Sequence, residues 1–130
     1  MMPLEVFRRV LAECRETASV IQFYFQGEPL LNKDLPQMIR EAHEAGLYTI
    51  VSTNSQAMTP ELAEALVQSG LDRIIISMDG LSEASYNAYR IGGSLEKTKS
   101  ALQYLRAAKN QSPITNHQSP IIELQVLRLR

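Results

Sequence analysis

The chain has 130 residues, 45% of them hydrophobic, with 13 basic and 14 acidic side chains and a formal net charge of -1, the size and balance of one soluble domain or a part of one. It has no basic patch to meet nucleic acid, no apolar run long enough to span a bilayer and no signal-peptide opening, so neither nucleic acid nor membrane is expected as a partner and the cytosol is the default compartment. The single cysteine, Cys14, excludes an internal disulfide framework and cannot by itself build a cysteine cluster.

Met2-Pro3-Leu4 opens a helix, since proline is tolerated in a first turn. Leu4, Phe7, Leu11 and Cys14 recur at helical spacing with Val6 and Val10 beside them, while Glu5, Arg8, Arg9, Glu13 and Arg15 take the other face. On that apolar stripe Cys14 reads as a packed thiol rather than a reactive one. Val20 to Phe25, apolar, aromatic and β-branched, reads as a buried strand that stops at Gln26-Gly27-Glu28-Pro29. Gly27 lets the backbone bend and a ligand come close, and Pro29 has no N–H for a ladder. Glu28 is thereby held at the carboxyl end of a strand, the edge where parallel α/β sheets bind ligands. A solvated acid in a strand-to-helix turn is the plainer reading of the same residue.

Asn32-Lys33-Asp34 leads to a second helix with Leu35, Met38, Ile39 and Ala42 on its inner face and Gly46 at its end. His43, between Glu41 and Glu44, reads as a surface residue, because no second metal ligand lies at useful spacing. Leu47 to Ser52 is a second strand, ending in Thr53-Asn54-Ser55. Thr59 caps a third helix with Pro60 first, Leu62, Leu66 and Val67 inward and Gly70 at its close. Ile74 to Ser77 is a third strand, ending in Met78-Asp79-Gly80. A short helical or turn segment from Glu83 to Tyr89 precedes Arg90-Ile91-Gly92-Gly93, and Ser94 caps a longer helix with Leu95, Leu102 and Leu105 inward. Residues 110–120 form a polar loop with two prolines and His117, and Ile121 to Leu129 is a fourth strand.

Strands separated by helices require right-handed crossovers and give a parallel sheet. The expected class is α/β: about four parallel strands with alternating helices, a partial (β/α) TIM barrel. Three strand ends carry polar groups at one edge: Glu28, then Thr53-Asn54, then Ser77 and Asp79. One binding site along that edge accounts for all three, although Asn, Asp, Ser and Gly are also the ordinary residues of turns.

Gln26-Gly27-Glu28-Pro29-Leu30-Leu31, Ser52-Thr53-Asn54, and Ser77-Met78-Asp79-Gly80 with Tyr86 and Arg90 downstream resemble successive motifs of radical S-adenosylmethionine (SAM) enzymes. The branch most similar carries a C-terminal auxiliary-cluster extension of the SPASM type, as in peptide- and protein-modifying maturases, while Arg90 to Gly93 also resembles the molybdenum-cofactor and coenzyme-synthesis branches. The resemblance implies SAM as cofactor, with Glu28 accepting from its ammonium group and Arg90 holding its carboxylate. It further implies Gly27 beside the methionine moiety, Ser77 and Asp79 near ribose or carboxylate, Asn54 in the pocket wall, and backbone contacts to adenine from Val126 to Arg128. Gln26 stands where the family has the first of paired glycines, and Ser55 where a glycine commonly follows Thr-Asn.

The family also implies a [4Fe-4S] cluster on a C-x3-C-x2-C loop after a first strand, and neither that loop nor that strand is recognisable here. The expectation is therefore a core piece, residues 1–130, of a longer enzyme. The intact parent would cleave SAM reductively to a 5′-deoxyadenosyl radical and abstract hydrogen from a peptide or small-molecule substrate. The chain alone is expected to be inactive, and to self-associate through an open strand edge. A degenerate, non-catalytic α/β module that binds a protein partner is the alternative, and a piece of an unrelated barrel or doubly wound enzyme a further one.

Overall fold

Alternation of short β-branched runs with amphipathic segments produces nine elements in the computed structural model, which describes residues 1–112 and 120–126. In chain order they are α1 (Leu4–Cys14), β1 (Val20–Gln22), α2 (Leu35–Glu44), β2 (Tyr48–Thr53), α3 (Pro60–Gln68), β3 (Arg73–Ser77), α4 (Glu83–Tyr89), α5 (Leu95–Gln111) and β4 (Ile121–Gln125). A single turn of 3-10 helix, Pro29–Leu31, follows the first strand. The strands form one sheet in the order β1-β2-β3-β4, every pair parallel, with Ile21 opposite Thr49, Val51 opposite Ile74 and Ile75 opposite Glu123. The expected parallel α/β architecture is thus the observed one.

Burial alternates along the central strands, as the period of two requires. Thr49, Val51 and Thr53 of β2 and Ile74 and Ile76 of β3 are buried, while Ile50, Ser52, Ile75 and Ser77 are half-buried. Val51, Ile74 and Ile76 share one core with Leu35 and Ile39 of α2, Leu66 of α3 and Leu105 of α5. Each such side chain, fully withdrawn from water, contributes about 1.5–3 kcal/mol. A satellite core joins Phe7 and Leu11 of α1 to Met38, Ala42 and Leu47, with Phe7 and Phe23 ring centroids 5.7 Å apart.

The caps expected at Thr59 and Ser94 are observed, and the structure adds one at Ser82. Thr59, Ser82 and Ser94 each accept a backbone N–H of the first turn of the helix that follows, and Ser82 and Ser85 form a reciprocal capping box.

Several expectations are corrected. The first strand pairs only over Val20–Gln22, with flanking bonds from Phe23 N to Ile50 O at 2.8 Å and from Tyr48 N to Ser19 O at 3.0 Å, and it is an exposed edge rather than a buried strand. Phe25 has φ 115°, a conformation that turns the chain off the ladder and is strained for a residue with a Cβ. Cys14 is only half-buried, its Sγ 3.9 Å from Leu11 O. Leu62 and Leu102 face inward as expected, half-buried and packed against the core, but α5 also buries Thr98, Ala101 and Ala108 beside Leu95 and Leu105, which the apolar stripe did not include. Asn110 and Gln111 belong to α5, so the polar loop starts later than expected; His117 and the end of the fourth strand lie outside the described residues. Among the described residues, no helix is long and apolar enough to cross a membrane.

Candidate functional site

Because all four strands run the same way, their carboxyl ends share one rim, and the loops that leave it carry the polar groups singled out from the sequence. Gly27 turns the chain at φ +80°, and a Cβ there would meet nothing within 4 Å, so the backbone angle rather than crowding asks for glycine. That turn delivers Glu28 to the N-cap of the 3-10 turn. Its Oε1 accepts from Leu30 N at 3.1 Å and from the Thr53 hydroxyl, and its Oε2 accepts from Asn54 N at 2.9 Å. One carboxylate therefore ties the loop after β1 to the loop after β2.

In that second loop the Asn54 side chain closes on its own backbone, Oδ1 accepting from Gln56 N at 3.0 Å. Ser55 has φ 61°, the left-handed region that a glycine would occupy freely. Its hydroxyl donates to Asn54 O at 2.7 Å and reaches Thr98 Oγ1 at 3.2 Å, so this side chain holds the strained turn by hydrogen bonds.

Ser77 is the last residue of β3, half-buried on the same face as Ser52 and Ile75. Two residues on, Asp79 has a side chain only 2% exposed, and its Oδ2 accepts from Arg90 Nε at 2.5 Å. Arg90 is the C-cap of α4, its backbone N–H bonded to Tyr86 O at 2.8 Å. The guanidinium carbon lies 5.9 Å from the Tyr89 ring centroid, and among the described residues neither Nη atom has a hydrogen-bond partner. Asp79 thus spends one oxygen on orienting Arg90, whose fork remains open to an anion.

Thr53, Gln56, Tyr86 and Thr98 also shape this rim; Thr53 and Tyr86 stand in the sequence motifs without an assigned role, and Gln56 and Thr98 are not singled out there at all. Gly80 carries the one legible signal: a Cβ there would lie 2.3 Å from Tyr86 N, which marks Tyr86 as packed against the β3 loop.

A hollow of about 670 Å³ does not span these groups. Gly27 and Glu28 border it, but it runs along the free edge of β1 between Phe23, Phe25, Val10 and Met38, and Asn54, Ser77, Asp79 and Arg90 do not line it. His43 is exposed, its Nδ1 3.9 Å from Asp72 Oδ2. Among the described residues no group of three or more His, Cys, Asp or Glu side chains could hold a metal ion. One half-buried cysteine on α1 is no ligand set for a [4Fe-4S] cluster, so the chain's own residues do not fit that group.

The profile of the Radical SAM superfamily matches residues 1–118. A PqqA peptide cyclase of Granulibacter bethesdensis is 33% identical over 113 residues, 85% of this chain and 29% of that protein. An AdoMet-dependent heme synthase of Nitratidesulfovibrio vulgaris is 33% identical over 94 residues, 72% of this chain and 26% of that protein. The chain thus spans about a quarter to a third of the curated relatives it matches. Among solved structures, anSMEcpe with AdoMet and a peptide bound superposes with TM-score 0.68 at 19% identity, over 97% of this chain and 35% of that one. Archaeal TYW1 gives 0.64 at 19% identity, over 100% and 48%, so the shared feature is the fold. With the matched profile running over nearly its whole length, the chain belongs to the radical SAM superfamily.

Proposed function

We propose that this chain supplies part of the SAM-binding wall of a radical SAM enzyme, with Glu28 taking the ammonium group and Arg90 the carboxylate of the ligand's amino-acid moiety. The observation that carries this is the placement of a preorganised carboxylate and a half-open guanidinium on one parallel-strand rim. A carboxylate offers about four acceptor directions, and three donors occupy Glu28, leaving one on Oε2 for an ammonium N–H. The Arg90 Nη pair suits a carboxylate by its planar fork. Asp79 serves this site through Arg90, while Gly27, Asn54 and Ser77 form its wall; the adenine contacts expected from Val126 to Arg128 fall largely outside the described residues. When bound, SAM supplies the radical precursor; this chain's residues orient its amino-acid end and set the strand-end surface against which it lies.

The cluster's ligands belong to some other part of the parent, and alone the chain is inactive. The peptide cyclase and heme synthase relatives support a peptide or small-molecule substrate, and the former favours the SPASM-type branch.

Titration of the ¹⁵N-labelled chain with SAM tests this. The expected result is weak binding, with a dissociation constant roughly millimolar, that moves the Gly27, Asn54 and Ser77 amides and the Arg90 side chain. 5′-Methylthioadenosine, which lacks the ammonium and carboxylate, leaves Arg90 unmoved. Shifts confined to other surfaces sink the assignment, and micromolar affinity by calorimetry sinks the claim that binding is weak. A protein-partner module is the second reading, favoured by the exposed apolar side chains of Leu81 and Ile91 on either side of α4, at 77% and 95% exposure. SAM moving no resonance at all would turn the balance to it.

A further inference from the structure

The most heavily bonded polar side chain near the rim is one that the ligand reading leaves unused, Gln56. Its Oε1 accepts from Ser94 N at 2.9 Å. Its Nε2 lies within hydrogen-bond distance of four acceptors: Asn54 O at 3.2 Å, Tyr86 Oη at 3.0 Å, Ser94 O at 3.1 Å and Thr98 Oγ1 at 3.2 Å. Two hydrogens shared among four acceptors make a junction where the loop after β2, helix α4 and the start of α5 meet.

Tyr86 is fully buried and is the one buried side chain of α4. That seven-residue helix has little apolar surface to hold it, so its placement rests on where Tyr86 is held. The ring stands against Gly93, where a Cβ would come within 2.9 Å of Cε1, and the Tyr86 backbone stands against Gly80. Its carbonyl in turn accepts from Arg90 N.

A continuous path results. Glu28 is bonded to Asn54 N, Asn54 O to Gln56, Gln56 to the Tyr86 hydroxyl, and the Tyr86 carbonyl to Arg90, whose guanidinium is bonded to Asp79. A phenylalanine would fill the same space beneath α4, so packing alone does not require the hydroxyl. A satisfied buried polar network fixes direction where apolar contacts allow sliding.

We propose that Gln56 and Tyr86 are positioning residues whose hydrogen bond fixes the Arg90 end of the rim against the Glu28 end. The proposal rests on the reading of those two residues as the ammonium and carboxylate partners. It goes beyond that reading by assigning the spacing between them to a pair that contacts neither end of the ligand.

The test uses the 130-residue chain without ligand. Hydrogen exchange and ¹⁵N shift are followed at Arg90 Nε–H, bonded to Asp79, and at Asn54 N–H, bonded to Glu28. The Val51 and Ile74 amides serve as core references. In Tyr86→Phe, which deletes one oxygen, both rim protons exchange roughly five- to tenfold faster, as loss of a hydrogen bond allows, and the Arg90 Nε resonance moves. The core amides keep their rates. Gln56→Met gives the same pattern with a larger change. If Tyr86→Phe leaves either rim proton unchanged, or speeds the core amides equally, the residues only pack and the proposal is overturned. Because no SAM is present, the outcome is independent of the titration above. Failure of SAM to bind would remove the ligand reading and leave the measured coupling standing.

Discussion

Glu28 binds three donors before any ligand arrives, and this makes its two acceptor oxygens part of the fold. In Glu28→Gln an amide NH₂ must face either the Thr53 hydroxyl and Leu30 N or Asn54 N, so donors oppose donors whichever way the amide turns. The expected cost is about 1–3 kcal/mol in a urea melt, together with loss of the SAM-induced shifts at Asn54. A melt within a few tenths of a kcal/mol of the parent would show the carboxylate to be a solvated turn acid after all. At this scale the sequence was informative about chemical type and silent about partnership. The Gly27-Glu28 turn and the Ser77-to-Asp79 strand end are legible because glycine and polar residues interrupt β-branched runs. That Asp79 is spent on Arg90, eleven residues on, and that Gln56 reaches Ser94 and Thr98, thirty-eight and forty-two residues on, follows from tertiary packing that no local pattern encodes.

Helix α1 has no strand before it in this chain, and its hold on the rest is partly ionic. Arg8 places Nη2 2.7 Å and Nε 3.1 Å from Glu41 Oε1 on α2, and Gln37 donates to the same oxygen at 2.9 Å. The Arg8 hydrogen bonds, and then that of Gln37, hold the Glu41 carboxyl below its ordinary value of 4.5. A folded-state value below the unfolded one means that the unfolded chain takes up protons more readily. The stabilisation is therefore complete above about pH 4.5 and is lost as the pH falls through the lower, folded value. Glu41→Gln is expected to be less stable than the parent at neutral pH, with the gap narrowing below pH 4; a constant gap in melts across that range would contradict it. The pair is largely solvated, so the effect is small and fades with salt. Helices were the most readable elements, although Glu83–Tyr89, which the pattern leaves open between helix and turn, is fixed as helix α4 only by the structure. The least readable was β1. Its six apolar or aromatic-flanked positions favour strand, yet only three pair, because an edge position and the Phe25 backbone angle outweigh propensity.

For the whole molecule, the decisive property is a four-stranded sheet whose margins, the outer strands β1 and β4, each pair on one side only among the described residues. Val20 on one side and Ile121 and Leu124 on the other are each 47% exposed, and the hollow beside β1 is lined by apolar side chains. Unpaired backbone groups next to apolar surface invite strand pairing between copies. Scattering mass is expected to rise with concentration, and a lysine at Val20 to suppress the rise; a monomer at every concentration would refute the idea. One feature of that margin bears on handling the protein. Phe25 is 93% exposed, sits past the last ladder bond and is already bent away from the sheet. A segment so presented enters a protease cleft with little local unfolding. Brief digestion with an enzyme that cuts after aromatic residues should therefore sever the chain first between Phe25 and Gln26, releasing α1 and β1 as one peptide.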